Sequence, residues 1–369
     1  MGKNSKVYVV IMAGGGGTRF WPWSRGKSPK QMLPILSDRP MIWETVERVR
    51  PLVPPERIMI VTASLQAKEL HRQVPQIPPG NILIEPQGKN TAPCLGLAAL
   101  YIQQRNPEAI MAVLPADHFI ADRKLFLKTL KGAAEFAAQG NFLVTLGIQP
   151  TEPDTGYGYI QKGEILGRAA GVQVFRARAF REKPTRARAR RYLHQGDYLW
   201  NSGMFVWKVG VFLEALEKFL PSLYGEMMKL KAFYGTPREK LVLKNIYERI
   251  QPISVDYGIM EKAHNVALMP AKFPWNDVGS WAALARIWPQ DEKGNALPGG
   301  KRIKPGKVLM IDSSGCLVRA EEKLIAAIGL KDMVVVESGN AFLVCPKARS
   351  QEVRRIFQVL NEKGWKEYL

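Results

Sequence analysis

A chain of 369 residues, 46% hydrophobic and 23% charged, is comfortable as two domains and can bury a sizeable core without disulfides or a structural metal. A formal net charge of +20 favours anionic partners, namely nucleic acid, acidic lipid or phosphorylated small molecules, and charge alone does not choose among them. Cys94, Cys316 and Cys345 are odd in number and far apart with no zinc-type spacing, which argues for reduced thiols in a cytosolic protein, Cys94 in the core.

The first apolar run, Val7 to Ala13, is seven residues long and ends in glycine, too short for a signal peptide or a membrane span. It reads as a buried strand, and no later run approaches the ~18 apolar residues of a transmembrane helix. MIWETVERVRPL follows as a helix, RIMIVTA as a strand, and APCLGLAALYIQQR as a helix with Pro93 near its first turn. AIMAVLPADHF is a strand with a polar tip, KLFLKTLKGAAEFAAQG a helix closed by Gly140, and NFLVTLGI the next strand. This alternation defines an α/β fold with a Rossmann-like, mostly parallel sheet flanked by helices on both faces. Functional groups belong at the carboxyl ends of such strands, where GGGGTR and PADH both lie.

From Thr151 the texture changes to short strands containing Gly and Tyr, then to a long helical stretch from Val211 to Glu248. Between Lys307 and Pro346 five short strands recur every eight to ten residues without helices: KVLMID, CLVRA, LIAAIG, MVVVES and AFLVCP. They suggest a small C-terminal β module, left-handed β-helix-like, closed by a final helix over ARSQEVRRIFQVLNEKGWKEYL. The Gly-, Pro- and charge-rich stretch from Asp291 to Gly300 places the boundary, with domains at 1–290 and 291–369.

A glycine run directly after a strand lets backbone N–H groups approach phosphate oxygens. A plain turn has no need of the cations that follow it, Arg19, Arg25, Lys27 and Lys30. The Walker A pattern fails, because Gly17-Thr18-Arg19 does not supply Gly-Lys-Ser/Thr. The dinucleotide fingerprint started at Gly14 and Gly16 fails too, since its last position is Arg19, itself a bidentate partner for phosphate. Asp117, in LPADH, suits Mg²⁺, a hard ion that keeps several waters, but on its own residues reads first as a turn or capping aspartate. Asn90-Thr91 in IEPQGKNTAP reads as a helix cap, and His118 as structural. RARAFREKPTRARARR carries seven arginines, but no aromatic is spaced for base stacking, so nucleic acid is disfavoured and its second half reads as a helix with a solvated face.

GGGGTRFWPWSRGKSPKQMLPI resembles the signature G-x-G-T-R-hydrophobic-x-P-x-[ST]…P-K of the sugar-nucleotide pyrophosphorylases, nucleotidyltransferases that act on sugar 1-phosphates. Its PKQ ending and the GKNTAP stretch are similar to the mannose-1-phosphate guanylyltransferase branch, and six family-like pieces occur in order from Met12 to Trp281. The resemblance implies that Gly14, Gly15 and Gly17 line the nucleotide, that Arg19 holds the departing pyrophosphate, and that Lys30 contacts phosphate at the reacting centre. It puts Glu85, Gly88, Asn90 and Thr91 on base and ribose. In GYGYI, FREKP and WNSGMFVW it puts Gly158, Glu182 and Asn201 on sugar hydroxyls and Lys183 near the sugar phosphate. Asp117 and Asp277, the latter in PWNDVGSW, become Mg²⁺ ligands, and Arg19, Lys30 and Asp117 the catalytic set.

The implied reaction joins GTP and α-D-mannose 1-phosphate into GDP-mannose and pyrophosphate, in the cytoplasm and away from membranes. A relative for another sugar 1-phosphate, such as glucose 1-phosphate, or for another base is the alternative. So is a non-catalytic regulatory homologue that binds sugar nucleotides, against which stand the intact Asp117, Lys30 and Asp277. Some members carry a cupin-type isomerase domain; with the chain ending at Leu369 and no histidine-rich metal motif, no isomerase activity is expected. The β module has three candidate roles: a contact in a homodimer, a cover for the sugar site, or stabilisation of the fold.

Overall fold

The computed structural model describes residues 6–26, 28–298 and 307–369. Lys27, one of the loop cations named above, and Gly300, the far edge of the expected domain boundary, lie outside the described residues.

The first half alternates as its apolar runs predict. In order come β1 (Val7–Met12), α1 (Met41–Val49), β2 (Ile58–Ala63), α2 (Ala67–Gln73), β3 (Ile82–Glu85), α3 (Thr91–Arg105), β4 (Ile110–Pro115), β5 (Phe119–Ile120), α4 (Arg123–Ala138) and β6 (Leu143–Ile148). The second half adds β7 (Tyr159–Ala169), β8 (Val172–Arg181), α5 (Arg186–Gln195), β9 (Tyr198–Lys208), α6 (Val209–Phe219), α7 (Pro221–Lys231), α8 (Glu239–Arg249), a wide helical turn at Asp256–Met260, β10 (Val266–Ala271), β11 (Trp275–Asn276) and α9 (Trp281–Ala285). Nine strands form one sheet in the order β3-β2-β1-β4-β9-β6-β10-β8-β7. Only β8 and β9 run against the common direction.

The strands are apolar on both faces because both faces are covered. Val9 and Ile11 of β1 join Ile42, Val46, Leu70 and Phe126 from α1, α2 and α4, while Val10 joins Leu95, Phe212, Met227 and Ile246 from α3, α6, α7 and α8. α5 begins at Thr185, whose side chain accepts from the Arg188 N–H, and exposes Arg186, Arg188, Arg190 and Arg191, the solvated face its sequence suggests.

Three local expectations need correction. The helical stretch from Val211 to Glu248 is three helices: Pro221 opens α7, and Gly235 at φ 73° falls between α7 and α8. Gly140 does not close α4 in a left-handed turn; the cap is Gln139, and a Cβ at Gly140 would lie 2.6 Å from the Phe142 ring. The final helix is broken into a tight turn at Lys347–Glu352, a helix α10 (Val353–Glu362), and a last turn at Lys366–Tyr368 beyond Gly364 at φ 70°. α2 is a short helix with no counterpart in the sequence reading.

The C-terminal module comprises β12 (Val308–Ile311), β13 (Leu317–Arg319), β14 (Ile325–Ile328), β15 (Met333–Ser338) and β16 (Ala341–Pro346). β12 pairs parallel with β14 and β13 parallel with β15, the rungs of a β-helix-like coil, and β16 folds back antiparallel on β15. Cys316, Val318, Ala320, Ile325 and Val335 form a small core of its own, and a second cluster is shared with the rest of the chain. Leu317, Val334, Val336, Leu343 and Leu360 pack with Phe20, Trp21 and Trp23 from the glycine loop and with Trp281 and Trp288.

Candidate active site

β1 ends at Met12, and the Ala13 N–H donates to Val61 O, so the glycine loop leaves the sheet at its carboxyl edge. Gly17 stands at φ 60°, and a Cβ there would lie 2.5 Å from the Lys30 nitrogen. Only glycine permits both that backbone angle and that approach. The Gln31 side chain supports the loop from behind, donating to Ala13 O at 2.8 Å and Gly15 O at 3.0 Å. The glutamine of the PKQ ending is therefore a buried prop for the glycines.

Lys30 is 5% exposed, and its ammonium has three partners. It pairs with Asp117 Oδ2 at 2.7 Å and donates to Asp277 O at 2.7 Å and Val278 O at 2.9 Å. One side chain thus ties the glycine loop to the tip of β4 and to the loop after β11. Val278 stands at φ 50°, a region a β-branched residue rarely enters. Burial pushes the Asp117 carboxyl up, yet the Lys30 ammonium and its hydrogen bond more than offset this and hold it below its ordinary range. His118 is driven down to about 4 by burial and accepts at Nδ1 from Trp275 Nε1 at 3.1 Å, so it is neutral and structural.

Asp277 Oδ1 accepts from the Tyr157 hydroxyl at 2.8 Å and from the Gly279 N–H at 3.0 Å. Burial, reinforced by the Asp277 charge, keeps the Tyr157 phenol protonated. Arg19 donates to Gly279 O at 3.5 Å, a weak tether. Gly17, Arg19, Lys30, Asp117 and Asp277 line one cavity of about 300 Å³. Arg19, Asp277 and Gly279 also wall a second of about 580 Å³, which runs past Tyr157 and Lys183 to Lys347 and Arg354.

A third cavity, of about 370 Å³, brings together Gly14, Gly15, Glu85, Gly88, Asn90 and Thr91, with Cys94 and Asp256. Glu85 is buried at the end of β3, where desolvation raises it to about 7 despite a hydrogen bond from the Tyr247 hydroxyl at 3.0 Å. Its other oxygen faces Gly14, where a Cβ would come within 3.3 Å. Asn90 caps α3, accepting from the Thr91 N–H at 2.8 Å, and Thr91 Oγ1 accepts from the Val255 N–H at 2.8 Å. Both residues therefore have a capping or bracing role while lining the cavity.

Gly158, Glu182 and Asn201 also converge. Gly158 O accepts from the Asn201 N–H at 2.8 Å, and a Cβ on Gly158 would collide with Glu182 Oε2, a buried oxygen with no hydrogen-bond partner. Lys183 pairs with Glu182 Oε1 at 3.1 Å. Asn201 Nδ2 donates at 2.8 Å to Asp256, whose carboxyl burial raises to about 6, with Glu182 adding to the shift. Sequence reasoning named no role for Asp256, Tyr157, Tyr247 or Gln31, although Gln31 stands in the PKQ ending, Tyr157 in GYGYI, and Asp256 is a lone carboxylate inside the apolar stretch VDYGIM.

The carboxylate pair fits a hard cation. Asp117 and Asp277 line one cavity, and no cluster of three or more His, Cys, Asp or Glu exists among the described residues. An ion that keeps waters and takes substrate phosphates needs only such a pair. Arg25, by contrast, does not line the cavity of Arg19 and Lys30; it reaches the C-terminal module instead. A further cavity of about 770 Å³, lined by residues of α6, α7 and α8 and the segment after it, holds none of the expected residues. No helix among the described residues is long and apolar enough to cross a membrane.

The nucleotidyl transferase family model matches residues 8–294, and a mannose-phosphate isomerase/GMP-like β-helix domain matches 306–360; the chain belongs to the nucleotidyl transferase family. Its relatives within that family include proteins named mannose-1-phosphate guanylyltransferase. The Klebsiella pneumoniae enzyme of that name is 38% identical over 97% of this chain and 75% of its own length. The alginate biosynthesis protein AlgA of Pseudomonas aeruginosa is 35% identical over 96% of this chain and 72% of its own. Among solved structures, a Thermus thermophilus protein described as a mannose-1-phosphate geranyltransferase superposes with a TM-score of 0.85 at 35% identity, covering 96% of this chain and 99% of that one.

Proposed function

We propose that this chain transfers GMP from GTP to α-D-mannose 1-phosphate, releasing pyrophosphate and forming GDP-mannose. The observation that carries the reading is the three-way tie of Lys30 to Asp117 and the Asp277 loop beneath the glycine run. The names of the guanylyltransferase relatives support the choice of sugar and base.

A sugar-phosphate oxygen attacks the α-phosphorus as the bond to the pyrophosphate oxygen breaks on the opposite side. No enzyme side chain becomes covalently attached. Rate enhancement then comes from positioning and from groups aimed at developing negative charge. Glycine-loop amides at Gly14, Gly15 and Gly17 lie under the phosphates, Arg19 faces the departing pyrophosphate, and Lys30 neutralises charge where the two substrates meet. Asp117 and Asp277 would hold Mg²⁺, which when bound supplies charge neutralisation and orients the two anions.

Glu85, when ionised, accepts from guanine N1–H and N2–H₂, and Gly88, Asn90 and Thr91 border base and ribose. Glu182, Asn201 and Asp256 take sugar hydroxyls beside Gly158, and Lys183 the sugar phosphate. A cytoplasmic location and a homodimer complete the reading, the latter read out by the mass of the particle in dilute solution.

The test mixes the protein with Mg²⁺, mannose 1-phosphate and each of four nucleoside triphosphates and measures pyrophosphate release. Release with GTP alone is the expected result. Release with another triphosphate removes the guanine assignment. Silence with all four, and again with glucose 1-phosphate, overturns the transferase reading in favour of a binding protein.

A further inference from the structure

The glycine loop carries more than phosphate cations. Arg19 and Lys30 line the phosphate cavity, while the guanidinium of Arg25 points the other way. It donates to Asn340 Oδ1 at 2.7 Å, Ser338 O at 3.1 Å and Glu367 O at 3.1 Å, and to Pro22 O of its own loop at 3.3 Å. Trp21 Nε1 donates to Tyr368 O at 2.8 Å. Trp23 stacks with Trp281 at 6.2 Å, and the buried Arg319 guanidinium lies 4.0 Å from its ring centroid. These anchors follow Arg19 closely and lie a few residues before Lys30.

The second loop of the site is tied to the same module. Trp281 Nε1 donates to Trp21 O at 3.3 Å, and the Ala282 N–H donates to Ser350 Oγ at 3.3 Å. A run of four glycines has no side chains with which to hold itself and the widest backbone freedom of any sequence. The placement of Arg19 and Lys30 must therefore be imposed from beyond the run. On one side Gln31 props the glycines; on the other the large surface that Trp21, Trp23 and Arg25 meet includes the C-terminal module.

We propose that the C-terminal module acts as a latch on the phosphate loops, and that Arg25 is a positioning residue: through Ser338, Asn340 and Glu367 it sets where Arg19 and Lys30 stand without touching substrate. The kinetic part of this inference rests on the transferase reading above; the conformational part does not. A module that only stabilised the fold would change the melting temperature and leave turnover of the folded protein alone. A latch changes turnover while the protein stays folded, because a displacement of about 1 Å at reacting groups can cost about 10²-fold in rate.

The experiment compares wild type, Arg25→Ala, Arg25→Lys, Asn340→Ala and the Arg25→Ala/Asn340→Ala double variant at 25 °C. It measures kcat and KM by pyrophosphate release, amide hydrogen exchange over residues 13–31, and thermal unfolding. Expected for Arg25→Ala is a kcat lowered about tenfold or more, KM values for both substrates within about threefold, and faster exchange in the loop. Arg25→Lys recovers part of the rate. Asn340→Ala, an exposed substitution that leaves the fold intact, lowers kcat about threefold, and the double variant is no worse than Arg25→Ala because both act through one contact.

An Arg25→Ala enzyme with kcat within twofold and unchanged exchange overturns the latch. A tenfold rise in KM for GTP at constant kcat also overturns it, by making Arg25 a substrate ligand. If Arg25→Ala does not fold, Asn340→Ala decides by the same two readouts. If wild type itself shows no transfer, the transferase reading falls alone, and unaltered loop exchange in Arg25→Ala and Asn340→Ala is what would then refute the latch.

Discussion

Gly17→Ala is the most demanding test of the site geometry, because it adds one carbon and no charge. At φ 60° an alanine costs roughly 1–2 kcal/mol in backbone strain. The added Cβ would also sit 2.5 Å from Lys30 N, 2.9 Å from Lys30 Cβ and 3.2 Å from Lys30 Cα. Ordinary contact starts at 3.4 Å, so the two strands of the loop must part by about 0.9 Å. The obstruction is backbone, and no side-chain rotation relieves it. Lys30 then cannot keep Asp117, Asp277 O and Val278 O together at their present distances. A shift of this size predicts kcat lowered about 10²-fold with KM for mannose 1-phosphate changed far less. The assay is pyrophosphate release under saturating GTP, with Gly16→Ala as control, since a Cβ there meets only Thr18 Cγ2 at 3.9 Å. A Gly17→Ala enzyme within threefold of wild type, in a folded protein, would falsify the claim that Lys30 placement limits the reaction.

Four further outcomes follow from the same geometry. Glu85 must ionise to accept from guanine, and with its carboxyl at about 7 the ionised fraction rises roughly tenfold from pH 6 to pH 8, so KM for GTP should fall by about that factor and be flat in Glu85→Gln. Because the folded value lies above the ordinary 4.5, the unfolded chain loses this proton first; stability therefore declines as pH rises from about 4.5 to about 7, by up to ~3 kcal/mol, and urea melts of Glu85→Gln should lack that decline. Tyr157→Phe removes a hydrogen bond from Asp277 Oδ1 and should raise the Mg²⁺ needed for half-maximal rate about tenfold; an unchanged Mg²⁺ curve removes Asp277 from the metal assignment. Glu182→Gln keeps the shape but not the charge beside Gly158 and should raise KM for mannose 1-phosphate about tenfold while leaving KM for GTP within twofold, a split that separates the sugar cluster from the base cavity, which Glu182 does not line.

Strands buried on both faces leave the plainest trace in a sequence, since VYVVIM, IMIVTA, IMAVLP and LVTLGI are mostly apolar, charge-free runs of the right length. Helix breaks are less visible. Nothing local distinguishes Pro221 opening a new helix from Pro221 kinking an old one, and the outcome is set by how α6 and α7 pack on α3. Gly140 looks like a cap because caps are what glycines after helices usually are; its actual constraint is a ring two residues later that sequence spacing cannot aim. At the site, the residues of the quoted motifs that line common cavities could be named from the sequence as candidates. Asp256 and Tyr157 were not so named, because each owes its place to a partner far along the chain, Asn201 and Asp277 respectively.

The composition of the glycine loop follows from two requirements that pull against each other. Phosphate oxygens must approach the backbone, which demands glycine and forfeits any side-chain anchor. Cations must stand at fixed points above those phosphates, which demands rigidity. A loop can meet both only if its two faces are made by different residues. Gly17, Arg19 and Lys30 form the face toward the cavity, and Trp21, Trp23 and Arg25 form the face toward the C-terminal module. The tryptophans are thus explained by the glycines: the more freedom the phosphate face requires, the larger the surface that the opposite face must bury. This reasoning also assigns the positive charge unevenly. In the proposed reaction Arg19 and Lys30 serve the phosphates while Arg25 serves the module, so neutralising Arg25 should leave the salt dependence of substrate binding unchanged even while it slows turnover.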